Sequence, residues 1–370
     1  MQRRDFVKAG SIAAGCALAG CTEGRSGSEP GSSPTASGHS VTMVPVGETS
    51  FESVPETWAT YTPGYAEMGI ALGKADGLRS IGHKPRFYTD RYTQFGVAIE
   101  KEPLIQLYES GLGKEQFYSM DADVHLIDPN WLVHNFEGWE QSDIDTIAEK
   151  TGPFVGNVIF RQTDEWHDYP YYSMYEAFEK VSQIFQAGDR YDSFASMHEE
   201  YVEGRVADQL PPESERPEAM LVYAGSNEPA EFAPYPLTTA GTGAKHLRDL
   251  GVRDAVEGND VEGLSSTNRT NIDYETMLEV DPDVILVKGH ETKSAEEFQN
   301  TVVSHMRTDS VGSDLTAVQN SRVYRGGPVY QGPLSNFLLV ERTAKDLYPD
   351  SFSGELFDRQ RVRDIINGEI

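Results

Sequence analysis

Glu115-Gln116-Phe117-Tyr118-Ser119-Met120-Asp121-Ala122-Asp123-Val124 and Glu275-Thr276-Met277-Leu278-Glu279-Val280-Asp281-Pro282-Asp283-Val284 share one pattern. Each opens on a glutamate, runs through apolar residues at helical spacing, turns at Asp-x-Asp and enters a strand. The two stretches lie 160 positions apart, the offset that two similarly built lobes would give. On either side of them strands and helices alternate. Val41 to Val46 reads as extended, Trp58 to Thr60 as a strand, and Tyr65 to Leu72 as a helix ended by Gly73. Val124 to Ile127 is a short apolar run closed by Asp128-Pro129, and Ile144, Ile147 and Ala148 fit a helical face stopped at Gly152-Pro153. In the second half, Met220 to Tyr223 and Val284 to Val287 read as strands, with helices over Gly243 to Leu250, Tyr274 to Val280 and Phe337 to Leu347. The alternation predicts an α/β architecture.

Between the halves, Ala177, Phe178, Val181, Ile184 and Phe185 keep helical spacing. They predict a long helix from Ser173 to Ala187, broken only at Gly188, and a second from Asp189 onward. A helix here would join two lobes stiffly. The expected division is an N-terminal lobe over 41–172, linker helices over 173–210 and a C-terminal lobe over 211–370.

The chain begins with a different kind of segment. Arg3-Arg4-Asp5-Phe6-Val7-Lys8 precedes a small, apolar run that is too short to span a bilayer core of about 30 Å. Arg-Arg-x-Phe-x-Lys resembles a twin-arginine export signal, and Leu18-Ala19-Gly20-Cys21 resembles a lipobox, which makes Cys21 the expected lipidated residue after removal of 1–20. From Thr22 to Ser40, 14 of 19 residues are Ser, Gly, Pro or Thr, so 21–40 reads as a flexible tether between anchor and folded body. Cys16 and Cys21 are the only cysteines, so the mature chain can hold no disulfide and no thiolate metal site. Without residues 1–20 the chain carries 28 Lys and Arg against 58 Asp and Glu, a formal charge of −30 that repels nucleic acid. With 11 lysines against 20 arginines, the surface suits concentrated salt or an ordinary acidic exterior.

The chain over residues 41 to 370 resembles the substrate-binding lipoproteins of ABC importers for ferric siderophores, haem and cobalamin. The resemblance rests on three regions. They are Pro63-Gly64-Tyr65-Ala66-Glu67-Met68-Gly69-Ile70-Ala71-Leu72-Gly73, Ile272-Asp273-Tyr274-Glu275 leading into Asp281-Pro282-Asp283-Val284-Ile285-Leu286-Val287, and Ala317-Val318-Gln319-Asn320-Ser321-Arg322-Val323-Tyr324 with Leu347-Tyr348-Pro349. It implies two Rossmann-like lobes joined by one long rigid helix, a ligand cleft between them, and a monomer that binds without a cofactor. It also implies partners: a ferric chelate or a corrinoid, an ABC permease with its ATPase behind it, and a membrane reached through the lipid anchor. In such proteins a glutamate on each lobe docks on permease arginines, and by position these would be Glu115 and Glu275. Their alternative reading is helix-start carboxylates favoured by the helix dipole.

Local chemistry supplies the cleft candidates. Lys84-Pro85-Arg86-Phe87-Tyr88-Thr89-Asp90-Arg91-Tyr92 sets three cations among three aromatics in an acidic chain. Guanidinium forks suit anionic oxygens, and aromatic faces can cover a chelate or macrocycle. Lys84, Arg86, Tyr88, Arg91 and Tyr92 are therefore ligand candidates, with surface ion pairing and local packing as the alternative. Tyr61, Tyr65, Trp131, Trp166, Tyr169, Tyr235 and Tyr330 join them because they lie where strands are expected to end. The nine histidines form no His-x-His or HExxH pattern, which disfavours a bare transition ion, although tyrosine and carboxylate together could ligate ferric iron. No G-x-S-x-G elbow, Walker loop or dinucleotide fingerprint appears, which tells against an enzyme; a secreted hydrolase is the alternative of a different class to a binding protein.

Overall fold

The computed structural model describes residues 38–108, 112–162, 164–238, 240–257 and 271–369. The export signal, Cys21 and nearly all of the tether lie outside the described residues. The body opens on an antiparallel hairpin of β1 (His39–Met43) and β2 (Gly47–Phe51), closed where Gly47 adopts φ 88°. The first lobe follows with β3 (Trp58–Thr60), β4 (Ser80–Ile81), β5 (Ile105–Gln106) and β6 (Val124–Leu126). β3 pairs in parallel with β6, and β4 with β5. Parallel bridges from Trp58 to Leu78 and from His125 to Phe154 connect these pairs, giving the spatial order β5, β4, β3, β6, Phe154. That is a doubly wound order that reverses direction beside β3.

The second lobe is built on β7 (Glu218–Tyr223), with β8 (Ala233–Tyr235) and β9 (Arg253–Asp254) on one side. On the other side lie β10 (Val284–Lys288) and then β11 (Val323–Arg325). All contacts in this sheet are parallel except the one to β8. β10 is buried along its whole length, as a central parallel strand covered on both faces must be.

The repeated segments superimpose in role. Helices Lys114–Met120 and Tyr274–Val280 each end on an aspartate in the left-handed region, Asp121 at φ 45° and Asp281 at φ 44°. Two residues on, Asp123 accepts the amides of Glu56 and Thr57 at 2.9 and 2.8 Å, and Asp283 accepts the amide of Glu218 at 3.0 Å. Each carboxylate thereby fixes the start of the neighbouring strand, β3 in one lobe and β7 in the other.

The linker departs from expectation. Ser173 and Glu176 form a capping box, and the helix they start spans Met174–Ile184 but packs on the hairpin and on helix Pro63–Ala71, inside the first lobe. Its break falls at Gln186, φ 48°, ahead of Gly188. The joining rod is the second helix, Gly188–His198, which continues through wider turns over Glu199–Val206 and a last tight turn over Ala207–Gln209. The long rigid helix is thus 188–209, roughly 33 Å at 1.5 Å per residue. The final helix, Arg359–Asn367, returns to pack on this rod and on the Thr89–Phe95 turn, although its place in the sequence groups it with the second lobe.

One apolar core runs through both lobes. It includes Ala66 and Met68 from helix Pro63–Ala71 and Leu334 and Phe337 from helix Pro333–Leu347. A buried carboxylate locks the same contact: Glu67 accepts the amides of Gly332 (3.1 Å) and Ser335 (2.7 Å), the Ser335 hydroxyl, and the Tyr92 hydroxyl at 3.0 Å. A first-lobe side chain therefore caps a second-lobe helix.

Candidate functional site

In a parallel sheet the loops that leave the carboxyl ends of the strands converge, and here both sheets aim those ends at one interlobe cavity of about 310 Å³. Arg86 and Arg161 with Phe160 reach it from the first lobe. Tyr235, Lys288 and Tyr330 line it from the second. Arg86 sits on the single turn Lys84–Arg86 after β4 and places its guanidinium 5.7 Å from the ring of Tyr223, across the lobe boundary. Burial works against its charge, but the phenols of Tyr330, Tyr223 and Tyr235 outweigh that and hold Arg86 above the ordinary arginine value. Arg161 forks onto Asp164 at 2.7 and 2.6 Å and lies 5.1 Å from the Phe160 ring. Phe160 in turn meets Tyr330 edge-on at 4.8 Å.

Tyr61, Tyr88 and Tyr330 stay protonated. Burial, followed by neighbouring Tyr330, raises Tyr61, and burial followed by Glu291 raises Tyr88. Tyr330 is raised by burial in spite of Arg86 beside it. The cavity therefore presents cations together with neutral hydroxyl donors, a lining suited to negatively charged oxygens on an otherwise apolar body. Among the described residues, no three His, Cys, Asp or Glu side chains converge as a metal cage would require.

Of the residues expected at the cleft, Arg86, Tyr235 and Tyr330 line the cavity. Tyr61 lies close to Arg86 and Tyr330, its ring 4.0 Å from that of Trp131, which belongs to the first-lobe core. Tyr88 carries the Arg91 guanidinium 5.1 Å above its ring. Arg91 itself pairs across the lobes with Glu291 at 3.3 Å, at the edge of a separate groove of about 540 Å³ whose charges are largely paired with one another. The remaining candidates go elsewhere. Tyr92 is spent on Glu67, and Tyr65 donates to the Asn157 carbonyl at 3.0 Å, both in the interior. Tyr169 donates to Asp128 at 2.7 Å, and Lys84 to the Glu102 carbonyl at 2.9 Å. Trp166 stacks between His134 (5.2 Å) and His167 (5.5 Å). Arg161, Phe160, Tyr223 and Lys288 were not singled out in the sequence. Position at the end of β7 or β10 was the signal available for the last two.

Glu115 and Glu275 are exposed, each in the first turn of its repeated helix.

Two doubly wound lobes, a helical rod between them and a cavity at their facing strand ends define a cleft-type solute-binding protein. The family model for periplasmic binding proteins matches residues 59–330, and the chain belongs to that family, whose members bind solutes and are not enzymes. Solved structures agree on the fold. The iron uptake ABC transporter substrate-binding protein PiuA of Streptococcus pneumoniae is 16% identical with a TM-score of 0.58, over 85% of this chain and 100% of that one. The ABC-type Fe3+-hydroxamate transport protein of Saccharomonospora viridis is 16% identical with a TM-score of 0.54, over 84% and 99%. Helicobacter pylori CeuE, solved as a nickel–histidine complex, is 13% identical with a TM-score of 0.56, over 85% and 89%. The search of curated proteins found no match. No helix among the described residues is long and apolar enough to cross a membrane.

Proposed function

We propose that this protein is the extracytoplasmic receptor subunit of an ABC importer and that it captures a ferric siderophore or related ferric chelate in the interlobe cavity. The observation that carries this reading is Arg86 spanning the cleft toward Tyr223, Tyr235 and Tyr330, with Arg161 and Lys288 in the same lining. Three cations at one cavity in a chain of net charge −28 select against cationic solutes and favour the anionic oxygens of a chelate. A volume near 310 Å³ stands at the small end of ligand sites, which favours a compact chelate over a corrinoid or haem. The iron systems named for PiuA and the Saccharomonospora protein support the same class. Export by the residue 1–20 signal, anchoring through lipidated Cys21 and docking on a permease through Glu115 and Glu275 complete the proposal.

Titrating tryptophan fluorescence with ferric siderophores, haem and cobalamin tests it. A ferric complex should bind most tightly, and Arg86→Gln should weaken that binding by about 1.5–3 kcal/mol, the worth of one charged hydrogen bond. Tight binding of cobalamin with no response to any ferric complex would overturn the ligand class. Turnover of ester or glycoside substrates would overturn the binding role itself.

A further inference from the structure

Lys288, the last residue of β10, is 1% exposed and lines the cleft cavity. Its ammonium donates to three carbonyls: Gly243 at 3.0 Å, Gly326 at 3.3 Å and Pro328 at 2.8 Å. Three such bonds need three N–H groups, which the charged form has and the neutral amine lacks. No carboxylate among the described residues pairs with it. The one nearby, Glu291, is already shared by Arg91 and Arg342, at 3.3 and 2.9 Å. A buried cation compensated only by carbonyl dipoles is costly, and the open space it borders is where a counter-charge would fit.

The same three bonds shape the cavity wall. They tie the Gly243 turn to the Gly326–Gly332 loop, which carries Tyr330. That loop is held further by Glu291, which accepts the Gly327 amide at 3.1 Å, and by Glu67, which accepts the Gly332 amide at 3.1 Å.

We infer that Lys288 is the charge-selecting residue of the cleft: a buried, carboxylate-free ammonium that makes the cavity prefer an anionic ligand to a neutral one of similar size. The inference rests on the cleft being the ligand site but not on the ligand containing iron. Burial pulls Lys288 down to about 7, against the pull of Glu291, so an anion arriving in the cavity would relieve a real penalty.

The test pairs anionic with neutral probes: ferric enterobactin with ferrichrome, and haem with cobalamin. Affinities are measured for the wild type and Lys288→Met, with near-UV circular dichroism to check the fold. Lys288→Gln, which removes the charge but keeps two donors, serves where the methionine variant does not fold. The anionic member of a bound pair should lose roughly tenfold, the effect of one charge at about 10 Å in a half-polar interior, while the neutral member changes less than about twofold. If only the macrocycles bind, the ferric reading fails and the haem–cobalamin pair still judges Lys288. Equal loss for anionic and neutral probes, or no binding of any probe to the wild type, overturns the assignment.

Discussion

The two lobes are alike at one end of their strands and unlike at the other. At the strand starts, Asp123 accepts the two amides just ahead of β3 and Asp283 the first amide of β7, and Asp121 and Asp281 turn the preceding helices at nearly the same φ. At the strand ends the first lobe contributes arginines on loops, Arg86 and Arg161, whereas the second contributes phenols and a buried lysine. The starts shape backbone, so the same side chain serves in both lobes. The ends face one shared cavity, and two opposed walls need different chemistry to complement a single ligand. Function here comes from the asymmetry of two otherwise similar halves.

The strongest way to break the comparison is to cut the tie between the lobes. Glu291 is buried in the second lobe and bonded to Arg91 of the first and Arg342 of its own. Burial pushes its carboxyl up, but Arg342 and then Arg91 outweigh burial and hold it at about 2. Glu291→Gln leaves two guanidiniums without their anion and should cost about 3–5 kcal/mol in urea unfolding at neutral pH. The sign of the pH effect follows from the depressed value. The stabilisation is present above the unfolded carboxyl value and is lost as pH falls from about 4.5 toward about 2. The gap between wild type and variant should therefore shrink on acidification. A gap that stays constant down to pH 2 would show that the ion pairs do not hold the lobes.

Glu67 ties the lobes by hydrogen bonds in place of ion pairs, and its effect should be smaller. Glu67→Gln keeps a carbonyl oxygen on the Gly332 and Ser335 amides but turns an NH2 toward the Ser335 and Tyr92 hydroxyls, which lose their acceptor and must rotate to accept, and this should cost roughly 1–3 kcal/mol. Because Glu67 lies away from the cavity lining, ligand affinity in the folded variant should change little. A variant of normal stability but weakened binding would move Glu67 from the lobe contact to the ligand site.

These contrasts explain what could be read from the sequence. The duplicated Glu…Asp-x-Asp segments were visible because aspartates that shape backbone must keep their spacing from the strand they start. Arg86 stood out as a cation among aromatics, and so did Arg91, yet only a three-dimensional neighbour separates them: Tyr223 for one, Glu291 for the other. Lys288 was hidden at the end of an apolar run, where it reads as the strand's polar exit, not as a buried charge. The linker was misplaced for a local reason. Gly188 is the evident helix breaker, whereas the chain turns at Gln186, a residue whose left-handed conformation no residue type announces. Glu67 sits within an otherwise apolar helix, and the helix start it caps, Gly332 and Ser335, lies more than 260 residues away, a separation that no periodicity reports.

The smallest expected effect tests the likeness of the two strand starts most directly. Asp121 and Asp281 both hold the left-handed conformation, at φ 45° and 44°, which an L side chain adopts at a cost of roughly 1–2 kcal/mol and glycine does not. Glycine also loses more freedom on folding, so replacing aspartate by glycine at such a site should stabilise by only about 0.5–1 kcal/mol when the side chain has no other role. Asp121 meets that condition, since its only hydrogen bond among those of the described residues is made by its backbone carbonyl, with the Thr57 hydroxyl at 3.4 Å. Asp281 does not: its carboxylate accepts the Thr316 amide at 2.8 Å and the Thr316 hydroxyl at 2.7 Å, capping the helix that leads into β11. Asp121→Gly should therefore raise the urea midpoint slightly, while Asp281→Gly, losing two hydrogen bonds worth about 1 kcal/mol each, should lower it. Opposite signs would mean that the repeat has kept its backbone turn in both lobes while only the second has put the side chain to a further use. Shifts of the same sign would mean that the Thr316 contact contributes nothing to stability and that the two turns are interchangeable.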